Sequence, residues 1–296
     1  MHKETIPFRK DNGETFETVL CCGDCLQGVA DLDPGSIDVV VTSPPYNLGI
    51  KYGTYDDTIA RHEYLDWMGE WAVAVARVLS PEGSLFLNVG GKPTDPWGPL
   101  EVAQKVRAYL QLQNTIHWIK SIAIDAASMG KQSGLVGDLA VGHYTPINSD
   151  RFLNDCHEYI FHFTHTGAVA LDRLALGVPY QDKSNVRRWK SAGADLRCRG
   201  NTWFLPYETI RSSDRERPHP ATFPVQLPEW CFRLHGLSRI RRCMDPFLGL
   251  GSSAIAAARL GLPLVGFELD PVYLHHAAER LRREERCCMA RPPGQS

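Results

Sequence analysis

Residues 245–268 read DPFLGLGSSAIAAARLGLPLVGFE. An apolar strand ends just ahead, at Met244. Gly249 and Gly251 then form a turn, residues 252–260 have the composition of a short helix, and residues 263–267 read as a strand. Strand, turn, helix and strand within one short stretch is the unit from which parallel sheets with helices on both faces are built. The glycines allow a sharp turn and a close approach of backbone to ligand. Glu268 ends the second strand, 17 residues after Gly251. A carboxylate there can accept hydrogen bonds from both ribose hydroxyls of a nucleoside cofactor. Ala254 stands where a dinucleotide site wants a third glycine and is a permitted substitute. This stretch therefore fits a dinucleotide or S-adenosylmethionine, and a plain tight turn is the bland alternative.

The same alternation surrounds it. Residues 225–235 have helical spacing before the strand, and a last helix starts at Pro271. Near the start, residues 18–22 read as a strand running into Gly23-Asp24. Residues 36–42 (SIDVVVT) form a continuous β-branched run suited to a buried parallel strand. Residues 62–79 carry helical spacing through Leu65, Met68, Trp71, Val75 and Val78. Pro81-Glu82-Gly83 marks a turn, and residues 84–89, 99–110 and 115–119 read as strand, helix and strand. Between 121 and 218 the pattern weakens to scattered Gly, Ser, Asp and Arg around one strand at 158–163. That span reads as an inserted, irregular region outside the core. The expected fold is α/β, a doubly wound, mostly parallel sheet. The expected parts are a catalytic half (1–120), an inserted region (121–218) and a cofactor-binding half (219–296).

Composition narrows the class. Of 296 residues, 43% are hydrophobic and 22% charged, which is ordinary for a soluble globular chain. No apolar run is long enough to span a bilayer, and the start carries no apolar signal region, so the expected location is cytoplasmic. The nine cysteines form no disulfide framework. Cys22 and Cys25 make one CxxC without the further ligands that zinc needs, and they read as reduced cytosolic thiols. The net charge of −2 conceals an asymmetry. Residues 1–182 hold 13 basic and 23 acidic groups, 183–242 hold 13 and 5, and 243–296 hold 6 and 6. A basic block in an acidic chain suits a polyanion partner, or a solvated face that offsets the acidic half.

Thr42-Ser43-Pro44-Pro45-Tyr46-Asn47 follows the buried strand at its carboxyl end, where open α/β sheets hold ligands. Two prolines stiffen the backbone and present the Ser43 hydroxyl and the Pro44 carbonyl as fixed acceptors. An exocyclic aryl amine donates two hydrogen bonds. Acceptors outside the ring plane draw its nitrogen toward tetrahedral geometry and free a lone pair for in-line attack on a sulfonium methyl group. Tyr46 would stack on the flipped base.

These elements resemble the amino-methylating DNA methyltransferases of the β arrangement, in which the catalytic motif comes early and the cofactor motif late. TSPPYN (42–47) is similar to the catalytic motif, with Ser43, Pro44, Pro45 and Tyr46 as catalytic tetrad. DPFLGLGSS (245–253) is similar to the cofactor motif, with Ser252 and Ser253 in place of threonines. Residues 219–224 (HPATFP) resemble the segment lining the methionine end, and 23–26 (GDCL) an element near the adenine. The resemblance implies a Rossmann-like methyltransferase fold in permuted order, S-adenosylmethionine as donor, double-stranded DNA as substrate and no metal. It implies cofactor contacts from Asp24, His219, Phe223, Asp245, Phe247, Gly249, Gly251, Ser252 and Glu268, with Asp245 meeting the methionine amino group. Serine at position 43 is typical of enzymes acting on N4 of cytosine, although some SPPY enzymes methylate N6 of adenine. Ser43 and the late cofactor motif argue against protein glutamine methylation. The absence of a Pro-Cys pair excludes cytosine-C5 chemistry.

The expected recognition region is residues 121–218. Its candidates for DNA contact are Asn185, Arg187, Arg188, Lys190, Arg197, Arg199 and Asn201, the cations more as phosphate contacts than base readers. Trp189 and Trp203 read as packing residues. A nicotinamide oxidoreductase would leave SPPY unexplained, and a silent DNA-binding module would not need Ser43 and Glu268. A homodimer, and a cognate restriction endonuclease acting without a stable complex, stay open.

Overall fold

The computed structural model of the chain describes residues 1–10, 12–49, 54, 57–129, 136–142, 147–187, 195–206 and 222–289. Eleven strands and six α-helices follow in chain order among them. They are β1 (His2–Arg9), β2 (Thr15–Cys22), α1 (Cys25–Ala30), β3 (Ile37–Thr42), α2 (Arg61–Val78), β4 (Leu79–Val89), α3 (Gly98–Val106) and β5 (Gln111–Ile119). Then come β6 (Ser121–Ile124), β7 (Leu139–Gly142), β8 (His157–Thr164), β9 (Thr202–Phe204), α4 (Gln226–His235), β10 (Cys243–Asp245), α5 (Ser252–Arg259), β11 (Leu264–Glu268) and α6 (Pro271–Met289).

Nine strands form one sheet in the order β1-β2-β11-β10-β3-β4-β8-β5-β9. From β2 to β4 all neighbours are parallel, as the apolar runs predict. Helices cover both faces. Leu227, Ile255 and Leu281 of α4, α5 and α6 pack on one, and Val29, Trp71 and Val102 of α1, α2 and α3 on the other. From β10 the chain winds to β11 on one side, and from β3 it winds to β4 on the other. The β10–β3 junction is therefore the switch point, and a crevice opens beyond its carboxyl ends. No helix among the described residues is long and apolar enough to cross a membrane.

Three readings of the sequence change, and one strand that none of them covered joins the sheet. The strand at 158–163 belongs to the core: β8 lies between β4 and β5, antiparallel to both, with Ile160, Phe161 and Phe163 buried. The core therefore reaches into the span read as an insertion. β9 extends the sheet beyond β5, and Trp203 on it is buried against Trp230. Pro81-Glu82-Gly83 is a bulge within β4, not a turn before it. Leu79 pairs with Ile37 and Ser84 with Val39, so the extra residues loop out while pairing resumes. Finally, β1 pairs antiparallel with β2. Its buried Ile6 and Phe8 alternate with exposed residues, Phe8 stacks on Phe16, and Pro7 is tolerated on this edge.

One buried polar chain crosses the core. Asn114 Nδ2 donates to His162 Nδ1 (3.0 Å), so His162 Nε2 carries the proton and donates to Ser84 Oγ (2.9 Å). Ser84 then donates to His235 Nδ1 (2.9 Å). Burial depresses both histidines, His162 to about 3 and His235 to about 4, so both are neutral.

Candidate active site

Beyond the switch point lies a cleft with about 1080 Å³ of empty space, counting its open mouth. Ser43, Pro44, Pro45 and Tyr46 form one wall. Phe247, Gly249, Ser252 and Glu268 form another, with Asp24 and Phe223 at the sides. The two motifs, some two hundred residues apart in sequence, meet because β3 and β10 are neighbours.

Each wall has its own support. Gly249 and Gly251 adopt φ of +53° and +78°, conformations that side chains disfavour, and α5 starts directly after them. Gly249 N donates to Glu268 Oε2 (2.8 Å), and Asp270 N to Oε1 (2.9 Å). Burial raises the Glu268 carboxyl above its ordinary value, and the two backbone donors oppose that rise. A carboxylate has about four lone-pair positions, so Glu268 retains acceptor capacity beyond these two donors. Phe247 packs at 5.6 Å on Trp67 and 5.8 Å on Trp71, giving this end an aromatic wall. Asp24 caps α1 by accepting from Leu26 N (2.8 Å) and Gln27 N (3.2 Å).

On the other wall, Tyr64 Oη donates to the Pro45 carbonyl (2.9 Å). Asn47 follows the tetrad at φ +56°, and the buried Asp57 carboxylate accepts from the N–H groups of Asn47 and Leu48, each at 2.9 Å. Behind Ser43 stands a polar group absent from the sequence expectations. Ser43 Oγ and Tyr46 Oη lie 2.6 Å apart, and Tyr46 Oη donates to Glu158 Oε2 (3.0 Å). Asn88 Nδ2 donates to Tyr46 Oη and Glu158 Oε2, both at 2.7 Å, and Lys120 Nζ pairs with Glu158 Oε1 at 3.0 Å. A polar residue near the end of an apolar strand (Asn88) and an acid opening an aromatic one (Glu158) were the signals available.

Two expected cofactor contacts move. Asp245 stands behind the cleft wall, 1% exposed, and accepts from Thr42 Oγ1 (2.6 Å), Phe247 N (3.0 Å) and Ser253 Oγ. It ties the residue before Ser43 to the cofactor turn. Burial drives its carboxyl up to about 6, against these three donors. Gly251 is likewise outside the lining, close against Ala277. His219 lies outside the described residues.

The sequence pattern of a family described as DNA methylase, the N6/N4 type, matches residues 37–279. The chain belongs to this DNA methylase family. It is similar to the type II methyltransferase M.HpaI of Haemophilus parainfluenzae, 27% identical across 90% of this chain and 74% of that one. It is also similar to M.ScaI of Streptomyces caespitosus, 27% identical across 92% and 83%. A Thermus thermophilus protein assigned as a DNA modification methylase, solved with S-adenosyl-L-methionine, superposes with a TM-score of 0.56 at 25% identity, covering 90% of this chain and 93% of its own. The PvuII DNA methyltransferase (cytosine-N4-specific) shares the fold, with a TM-score of 0.59 at 18% identity over 90% of each chain.

The candidate DNA contacts of this methylase divide. Arg188 and Lys190 lie outside the described residues. Asn185 and Arg187 sit in a short 3₁₀ turn, and Arg197 is exposed while its backbone pairs with Val178. Arg199 and Asn201 are used internally. The Arg199 guanidinium lies 4.3 Å over the Trp230 ring and donates to the Leu176 carbonyl, and Asn201 Nδ2 donates to the Thr115 carbonyl at 2.8 Å. Both precede β9, which runs parallel to β5, so they lie toward the sheet edge opposite the cleft. They fasten β9 to the core, at the strand ends away from the cleft.

Proposed function

We propose that this DNA methylase methylates N4 of a cytosine flipped out of double-stranded DNA, with S-adenosylmethionine as donor. The observation that carries the reading is the single cleft shared by the Ser43–Pro44 turn and the Phe247–Gly249–Glu268 cradle. The cradle suits the donor: Glu268 keeps acceptor capacity for ribose hydroxyls, and Phe247 and Phe223 provide apolar walls. The cofactor-bound Thermus relative supports the same assignment. Bound S-adenosylmethionine would supply a sulfonium methyl group: the nitrogen–carbon bond would form as the carbon–sulfur pair returns to sulfur, and the methylated amine would release one N–H proton to water.

The chain's own residues provide orientation. Ser43 Oγ and the Pro44 carbonyl accept the two amine N–H bonds, while the Pro45 carbonyl is occupied by Tyr64. The Thr42–Asp245 hydrogen bond holds these acceptors in register with the cofactor turn, so little reorganisation accompanies the reaction. Serine at position 43 favours cytosine over adenine through the family resemblance. We assign sequence recognition to the parts of residues 121–218 outside the sheet.

Incubation with unmodified genomic DNA and S-adenosylmethionine, followed by digestion and mass spectrometry of nucleosides, tests the reading. N4-methylcytosine is the expected product. N6-methyladenine would move the base assignment and leave the site intact. No modified nucleoside from wild type or Ser43→Ala would overturn it.

A further inference from the structure

The hydrogen bonds behind Ser43 have a direction set by proton count. Glu158 has Lys120 as counter-ion and serves as an acceptor only. Tyr46 has one hydroxyl proton and donates it to Glu158 Oε2. Asn88 has two amide protons, and its short contacts direct one to Glu158 Oε2 and one to Tyr46 Oη. A flipped Asn88 would set its carbonyl oxygen against the carboxylate, so its orientation is fixed as well. In the 2.6 Å contact between Ser43 and Tyr46, the donor must therefore be Ser43.

We infer that Glu158, acting through Tyr46, is a positioning residue that turns the Ser43 proton away from the cleft and makes Ser43 an obligate acceptor toward the target amine. This rests on the reading of Ser43 proposed above. An amine to be methylated presents N–H donors, and a serine hydroxyl free to rotate would present its own proton part of the time. The relay removes that ambiguity before substrate arrives, which is what preorganised catalysis requires. It also gives Tyr46 a role besides stacking, because its hydroxyl end is tied to the sheet.

A second observation supports the arrangement. Gly90 leaves the space that the pair occupies. A Cβ there would lie 2.9 Å from Tyr46 Cε2 and 3.2 Å from Glu158 Cδ. Glu158 and Asn88 are 8% and 1% exposed, so water does not substitute for either partner.

The test uses the full-length protein. Steady-state methylation of unmodified DNA is measured for wild type, Glu158→Gln, Tyr46→Phe and the double variant Glu158→Gln/Lys120→Met, with cofactor affinity measured by calorimetry. In Glu158→Gln the glutamine amide must face either the Asn88 amide or Lys120, both donors, so the Tyr46 proton loses its fixed acceptor and the Ser43 proton is no longer held away from the cleft. Turnover of Glu158→Gln is expected to fall about 10²-fold, comparable with loss of one preorganised hydrogen bond, with KM for DNA and cofactor affinity within threefold of wild type. The double variant frees the glutamine to turn its NH2 toward the vacated lysine side and its carbonyl oxygen to Tyr46 and Asn88, and is expected to regain turnover. Tyr46→Phe leaves the Glu158–Lys120 pair in place and covers the case in which Glu158→Gln destabilises the chain; it too is expected to lose turnover. Wild-type turnover in Glu158→Gln or in Tyr46→Phe, or a double variant as slow as Glu158→Gln, would overturn the relay and leave Ser43 as the acceptor. Wild-type protein that modifies no nucleoside would overturn the reading of the site, and the relay with it.

Discussion

Replacing Asp245 by asparagine is expected to stabilise this methylase at neutral pH. The carboxyl is fully buried, and its pKa rises from 3.8 to about 6 in the fold, chiefly by desolvation. The sign follows from which state holds the proton. Below 3.8 both folded and unfolded chains are protonated, and no penalty arises. Between 3.8 and about 6 the unfolded chain ionises first, so stability falls as pH rises. Above about 6 the penalty is constant, and at about 1.4 kcal/mol per tenfold it reaches roughly 3 kcal/mol. At pH 5 the same arithmetic leaves roughly 1.6 kcal/mol. Asparagine has nearly the same shape. Its oxygen can accept from Thr42 and Phe247 N, and its amide can donate to Ser253, whose hydroxyl reverses. Urea unfolding of both proteins at pH 5 and pH 8 measures the effect. The advantage of Asp245→Asn over wild type is expected to grow by about 1.4 kcal/mol between these values. Comparing the two proteins at each pH cancels the titration of every other group. An Asp245→Asn protein less stable than wild type at pH 8, by an amount equal at pH 5, would refute the reasoning.

The neutral histidines act in the opposite sense. With His162 at about 3 and His235 at about 4, stability is complete above their unfolded value near 6.5 and is lost as pH falls toward the folded values; at pH 5 the loss is about 2 kcal/mol each, to be seen in urea midpoints. Gly251→Ala forces a side chain into φ +78° and sets its Cβ 3.1 Å from the Ala277 Cβ. It is expected to cost about 1–2 kcal/mol and to weaken S-adenosylmethionine binding, read by thermal melts and calorimetry. Neutralising Arg187, Arg188 and Lys190 together is expected to weaken DNA affinity and to flatten its salt dependence by about 0.9 for each phosphate that no longer meets a cation; an unchanged slope would remove this block from the DNA interface.

The parallel half of the sheet was legible because its strands are apolar on both faces and end at prolines or glycines, as at 36–45 and 243–251. β8 was legible as a strand but not as core. Polar His162 interrupts its apolar run, and the hydrogen-bond chain that makes this tolerable runs through Asn114, Ser84 and His235, all distant in sequence. β9 spans three residues, too few to show a period. At the site, the turns carrying Ser43 and Gly249 were legible because proline and glycine declare backbone shape. Asn88, Glu158 and Lys120 were not, because their meaning arises from contacts 38 to 112 residues apart in sequence. Charge alone also could not tell that Arg199 packs on Trp230 while Arg197 is exposed.

The position of β10 and β11 has a consequence for the ribosome-bound chain. These strands separate β2 from β3, yet they emerge about two hundred residues after β3 has been made. Until then, β2 and β3 stand about three strand spacings apart in the eventual sheet, roughly 14 Å, with open hydrogen-bonding edges facing a gap. Such edges invite pairing with each other or with neighbouring chains. A nascent or truncated chain ending before Cys243 cannot build the switch point, and so neither wall of the cleft has its partner. Completion of the sheet is therefore expected to wait for its centre, and a chain truncated before Cys243 is expected to expose both edges.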